Sequence, residues 1–273
     1  MKVVALLENQ AASDSLCAAH GLSLYIETPK HKILFDMGPD GGFIENARAL
    51  GVDLAAVDIA FLSHGHFDHG GGIAAFLEAN DQAKIYIHKE AFGEHVALED
   101  DGERYIGIDG TLQCSDRIVL TEEAVRIDEE LLLFSDVPRD FDVGTASGRL
   151  YRRGPERLER DGFVHEQDLL ITAEGKTVLV SGCSHRGIVN ILQRAREIAA
   201  GEVDAMIGGF HLFQLDGGDP AADRLIERLG TALLAGETVY YTGHCTGDYA
   251  YEKLKPILGD RLHRVMGGTE LEF

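Results

Sequence analysis

At 273 residues the chain is long enough for one large α/β domain, and 45% hydrophobic with 26% charged residues is the balance of a globular protein with a true core. A net charge of −21 argues against nucleic acid as a partner, because phosphate backbones are held by clustered Lys and Arg. No apolar run reaches bilayer length, and MKVVALLENQ meets an acid and an amide straight after its apolar residues; a first strand and a cytoplasmic location are expected, without signal peptide or membrane anchor.

The chain opens with three β-rich runs, 2–8, 22–28 and 32–38, separated by Gly, Pro and Asn. FIENARALG then takes a helical period, DIAFLS (58–63) reads as a buried strand, IAAFLEAN (73–80) as a helix and KIYIH (84–88) as a strand. Residues 90–165 are less regular, with acidic and Gly-rich turns, short strands at DRIVL, AVRID and LLLFSD, and a polar stretch from Ser147 to Gly162. Alternation returns with a hairpin over 168–182 turning at Glu174-Gly175, and a helix GIVNILQRAREIAAG ended by Gly201. The strand VDAMIGG, a helix with Pro220 in its first turn, the strand ETVYYTG, the helix DYAYEKLKPILG and closing strands complete the chain. Strands first and βαβ units later imply sheets covered by helices, an α/β fold. With no repeat and no linker, a single domain over 1–273 is expected, with an irregular insert around 90–165.

Directly after the buried strand stands SHGHFDHGGG (63–72). His64 and His66, two residues apart on a loop, can reach one metal through neutral ring nitrogens, and Asp68 with His69 can serve a second. The three glycines let backbone pass close by. Elsewhere Asp36 follows ILF, His185 follows TVLVSGCS, His211 follows AMIGGF and His244 follows VYYTG, each a metal-competent residue where an apolar strand ends. Ligands of open α/β sheets bind outside the carboxyl ends of strands, so these residues are expected at one edge with the His64–His69 cluster.

The HxHxDH motif, preceded by a strand-end Asp36 and followed by a strand-end His244, resembles the metallo-β-lactamase superfamily over almost the whole chain. GCSHRGIVN (182–190), GGFHL (208–212) and GHCTG (243–247) resemble its branch of dihydropterin ribofuranosyl-aminobenzene phosphate synthase-like proteins. The superfamily implies an αββα sandwich, two mixed β-sheets flanked by helices, with a mononuclear or dinuclear metal site, usually hydrolytic. Residue by residue, the resemblance gives His64 and His66 to a first metal and Asp68, His69 and His244 to a second. It makes Asp36 the partner that orients a ligand histidine, and His185 the candidate for the first metal's remaining ligand. Many members end the TVLVSG-type strand in a bridging aspartate; here Cys183 stands near that place, either as a thiolate ligand or as no ligand at all. FVHEQD, with His165 and Glu166, occupies the place of the usual GHTPGS-like loop, leaving Glu166 and His185 as rivals for the first metal.

The expected activity is metal-dependent hydrolysis of an ester-type or phosphoryl small molecule, with Asp68 and Asp36 as the carboxylates of the catalytic apparatus. One or two divalent ions are expected, zinc first, with iron or manganese accepting the same ligands. The alternatives are a transferase on a phosphorylated, pterin-pathway-like substrate and a non-catalytic metal-bound sensor. His211, Arg152 and Arg153 are candidates for substrate contact; for the arginines the competing reading is a solvated helix salt-bridged to Glu156 and Glu159. Cys245, beside His244, reads as packing, and His20, His31, His88, His95 and His263 read as ordinary surface or strand residues. Four cysteines far apart, with no CxxC, in a large chain expected in the cytoplasm argue against a disulfide framework.

Overall fold

Lys2–Leu7, Ser23–Glu27 and Lys32–Phe35 turn back on one another as antiparallel neighbours, and the apolar runs that follow extend them in parallel. The computed structural model, which describes residues 1–141 and 146–273, thereby holds a seven-stranded mixed sheet. Its order is Glu270–Glu272, Lys2–Leu7, Ser23–Glu27, Lys32–Phe35, Ile59–Phe61, Lys84–His88 and Ile118–Thr121. Helices Gly42–Ala49 and Ile73–Ala79 cover it, packing Phe43, Ala47, Ile73 and Phe76 against Leu6, Leu34, Ala60 and Ile85.

A second seven-stranded mixed sheet runs Leu262–Arg264, Val239–Thr242, Ala205–Ile207, Lys176–Val180, Asp168–Ala173, Leu131–Phe134 and Val125–Arg126. Its first four strands are parallel and the rest antiparallel, the last including the hairpin expected at Glu174-Gly175. Helix Ile188–Ala199 buries Ile188, Ile191, Leu192 and Ala195, a stripe spaced three and four residues apart that faces the core. Its left-handed terminal residue is Ala200 (φ 51°), one place before the glycine expected to stop it. Helix Pro220–Leu233 starts where Asp219 accepts a hydrogen bond from the Ala221 amide, a cap worth about 1 kcal/mol, with Pro220 at its first position.

By its contacts the chain forms two compact units. The first joins residues 1–124, 149–167 and 266–273, the second 125–148 and 168–265. Each is assembled from separated stretches, so no linker composition marks the boundary. The region expected to be irregular contributes strands to both sheets and, in the first unit, a four-stranded antiparallel sheet. That sheet orders Leu158–Arg160, Leu150–Arg153, His95–Glu99 and Gly102–Tyr105. The arginine-rich segment is therefore a β-hairpin, and the helical spacing of its charges is incidental. Among the described residues no helix is long and apolar enough to cross a membrane.

Candidate metal centre

Adjacent parallel strands end at the same edge of a sheet, so Lys32–Phe35 and Ile59–Phe61 deliver Asp36 and Ser63 side by side. The fully buried Asp36 carboxylate accepts the Ser63 amide (2.7 Å), the Ser63 hydroxyl (2.8 Å) and the His69 Nδ1–H (2.6 Å). The glycines after His69 bring the backbone in: a Cβ on Gly71 would stand 2.1 Å from the Pro39 carbonyl oxygen, and one on Gly72 as close to that of Met37.

These bonds fix which ring nitrogens carry protons. The Ser63 hydroxyl donates to Asp36, so toward His64 it accepts, and His64 Nδ1 at 2.9 Å carries the proton. His64 Nε2 is then a lone pair, and it faces His66 Nδ1 at 3.1 Å. By the same logic His69 gives its Nδ1 proton to Asp36, which leaves Nε2 unprotonated, 3.7 Å from Asp68 Oδ2. Burial, then the neighbouring His165 and His95, hold His66 well below the usual histidine range, so its ring is neutral at pH 7. Neutral imidazole lone pairs beside a carboxylate are the donor set that a divalent transition metal takes. In this segment His64 Nε2 lies 3.1 Å from His66 Nδ1 and His69 Nε2 3.7 Å from Asp68 Oδ2, donor types that suit a divalent transition metal.

In the second unit, Lys176–Val180, Ala205–Ile207 and Val239–Thr242 are parallel neighbours. Their carboxyl ends lead into Cys183 and His185, into His211 and into His244, all buried. The His185 and His211 rings lie 4.0 Å apart. Cys183, His211 and Cys245 have ligand atoms within 4.8 Å of one another. Cys245 thus does more than pack. Burial pushes its thiol up, but hydrogen bonding with Cys183 and His211 outweighs this and brings it well below the ordinary value. Asp36, Ser184, His211 and His244 all adopt left-handed backbone (φ 59°, 57°, 51° and 45°). For such residues this costs on the order of 1 kcal/mol each, and such strain concentrates at functional sites.

Other residues lie where the sequence did not put them. Arg152 is paired with Glu90 (2.7 Å), and Arg153 with Glu94 (3.0 Å) and Glu103 (2.5 Å). Both guanidinium groups are thus paired with carboxylates, and the partners are not the expected Glu156 and Glu159. His165 Nδ1 accepts the Gly65 amide at 3.0 Å. Glu166, also buried, donates its amide to the Phe163 carbonyl. Three residues passed over by sequence reasoning surround the motif. His20 Nε2 stands 3.3 Å from Asp68 Oδ2, His95 Nδ1 is 2.8 Å from Asp161 Oδ2, and the buried Gln167 side chain ties Leu62 and Tyr86 carbonyls to the Thr121 hydroxyl. Their only signal was polarity beside an apolar run, as in FVHEQD.

Burial, with His95 nearby, lowers His165 to about 4 against the hydrogen bond it donates to Asp161. The folded protein resists protonation of this ring while the unfolded chain, near 6.5, accepts it. Its contribution is therefore complete above pH 6.5 and lost as the pH falls to 4, a change of about 3 kcal/mol. His66 acts in the same direction. Denaturant unfolding of metal-stripped protein should show stability falling between pH 7 and 5, less steeply in His165→Gln. Equal slopes in the two proteins would refute this assignment.

Residues 19–251 match the model of the metallo-beta-lactamase superfamily. The chain belongs to that superfamily. An uncharacterized protein of Methanocaldococcus jannaschii is 29% identical over 93% of this chain and 94% of its own length. The 7,8-dihydropterin-6-methyl-4-(beta-D-ribofuranosyl)-aminobenzene-5'-phosphate synthase of the same organism is 28% identical over 100% of this chain and 97% of its own. A solved metal-dependent hydrolase of the beta-lactamase superfamily superposes with a TM-score of 0.83 at 26% identity, covering 100% of this chain and 99% of that one. The mixed sheets and helices described above are the metallo-β-lactamase fold.

Proposed function

We propose that the protein is a metal-dependent hydrolase of small ester-type or phosphoryl substrates. The observation that carries this reading is the tautomer set by Asp36 and Ser63, which puts the ring protons of His64 and His69 on Nδ1 and leaves each Nε2 unprotonated, that of His69 3.7 Å from Asp68 Oδ2. The first unit offers His64, His66, Asp68 and His69 as ligands, and the second His185, His244 and Cys183, with His211 as a substrate contact. Zinc is the first choice of ion, because neutral imidazoles, a carboxylate and a thiol suit it. A bound divalent ion supplies Lewis acidity and lowers the pKa of water it coordinates toward neutrality.

The chain's own groups orient the reactants. Asp68 Oδ2 lies near both His69 Nε2 and Nε2 of the half-exposed His20, so the carboxylate can hold a water's hydrogen while His20 exchanges protons with solvent. A transferase is the second reading, favoured by the synthase among the relatives. Turnover of nitrophenyl phosphate and acetate esters should be measured on metal-replete and chelated protein, each with and without an acceptor alcohol or amine. A hydrolase turns over without acceptor and loses activity on chelation. Asp68→Ala should lose on the order of a thousandfold in turnover. Turnover only with acceptor would favour the transferase, binding without turnover a sensor, and activity surviving complete metal removal would end the hydrolase reading.

A further inference from the structure

His66, His95, Asp161 and His165, all buried in the first unit, bring four ligand-type atoms within 4.8 Å of one another. Such a group looks like a further metal site, and the hydrogen bonds decide whether it is one. The Gly65 amide can only donate, so His165 Nδ1 at 3.0 Å must be its acceptor and carries no proton. The neutral ring's single proton is then on Nε2, which points at Asp161 Oδ2 at 3.3 Å. One nitrogen has its lone pair taken and the other bears hydrogen, so this ring has nothing left for a metal.

Asp161 is accounted for in the same way. Its Oδ2 accepts from His165 and from His95 Nδ1 (2.8 Å), and its Oδ1 accepts the Phe163 amide (2.7 Å). Burial works against its charge, but these donors hold its carboxyl well below the usual range. Asp161 is thus a carboxylate ringed by N–H donors, and through His165 it yields one well-aimed acceptor against Gly65. Gly65 is the residue between His64 and His66. On its other side it is pressed against Ala91, whose carbonyl oxygen would lie 2.1 Å from any Cβ there. The loop carrying the two histidines is thus gripped between the Ala91 backbone and the His165 ring.

We propose that Asp161 and His165 form a positioning pair for the metal loop: Asp161 fixes the tautomer and plane of His165, and His165 holds the Gly65 amide and with it the spacing of His64 and His66. This rests on the proposal that His64 and His66 are metal ligands. Partners of this kind, acting through a ligand rather than on the ion, change metal affinity by about 10- to 100-fold when removed.

The test separates the two ends of the His165 ring. Asparagine places an oxygen near the Nδ1 position and keeps the acceptor for Gly65, whereas glutamine places an amide nitrogen near Nε2, keeping the bond to Asp161 and losing the one to Gly65. Zinc dissociation constants would be measured by competition with a chromophoric chelator, and hydrogen exchange over residues 62–69 would be followed in zinc-free protein. His165→Ala and His165→Gln should bind zinc about 10- to 100-fold more weakly, with faster exchange at Gly65. His165→Asn should stay within about threefold of wild type in both readouts. Asp161→Asn should behave like His165→Ala, because its amide donates to His165 Nε2 and turns the ring's proton toward the Gly65 N–H. Wild-type affinity in His165→Ala overturns the proposal, as does an Asp161→Asn protein that binds one ion fewer than the wild type even at saturating zinc, since that would make the cluster a ligand site. A wild type that takes up no zinc overturns instead the ligand assignment beneath it, and this proposal falls with it.

Discussion

Asp36→Ala should destabilise the protein by about 4 kcal/mol, because three buried donors lose their acceptor together. The Ser63 amide, the Ser63 hydroxyl and the His69 Nδ1–H all end on this carboxylate, which no water reaches. Alanine also tolerates the left-handed backbone at this position (φ 59°) poorly. Asp36→Asn is the more informative variant. Asparagine accepts left-handed backbone and can still accept the Ser63 amide, but its NH2 group now faces His69 Nδ1. The ring responds by moving its proton to Nε2, the nitrogen required for the metal. Asp36→Asn should therefore stay folded, with a modest shift in denaturation midpoint, and bind metal about 10- to 100-fold more weakly. Unfolding curves and metal titrations on both variants test this, and an Asp36→Asn protein with undiminished metal affinity would break the tautomer argument for His69.

The double variant His64→Ala, His66→Ala should lose at least one bound ion per chain, read by elemental analysis, and with it nearly all turnover. Neither ring belongs to the apolar cluster that joins the first sheet to its helices, where Leu6, Leu34, Phe43, Ile73 and Phe76 pack. The far-ultraviolet circular dichroism spectrum should therefore be unchanged, and thermal unfolding should remain cooperative. The stabilisation that added zinc gives the wild type, which grows with the logarithm of zinc concentration over its dissociation constant, should shrink or vanish. Unchanged metal content in a folded double variant would remove the basis of the proposed chemistry.

The parts of this molecule that could be read from its sequence are those encoded by neighbours in the chain. His64, His66, Asp68 and His69 lie within six residues, and Asp36, His185, His211 and His244 each follow an apolar run, so local pattern sufficed to nominate them. The strand hairpin at Glu174-Gly175 and the helices with spaced apolar stripes were readable for the same reason. What local pattern could not supply is pairing across distance. Asp161 meets His95 across 66 residues, and Gln167 meets Leu62 across 105. The segment holding Arg152 and Arg153 is short and polar, and such runs satisfy a helical and a strand period about equally. Its partner strand His95–Glu99 and its acidic partners at 90, 94 and 103 decided the matter. Cys245 went unread because a lone cysteine beside a histidine looks the same whether it fills space or meets a second thiol.

The order of strands in the first sheet bears on how the protein is made. Lys2–Leu7, the earliest strand, lies between Ser23–Glu27 and Glu270–Glu272, one of the latest. The unit carrying the His64–His69 loop therefore lacks an edge strand while more than 140 intervening residues are synthesised, and the second unit is translated inside that interval. Elongation at about 5–20 residues per second makes this a wait of many seconds, during which the edge of Lys2–Leu7 offers unpaired backbone to any neighbouring chain. A nascent chain with this topology leaves one side of Lys2–Leu7 unpaired until Glu270–Glu272 has been made, so slower translation should lengthen that exposure.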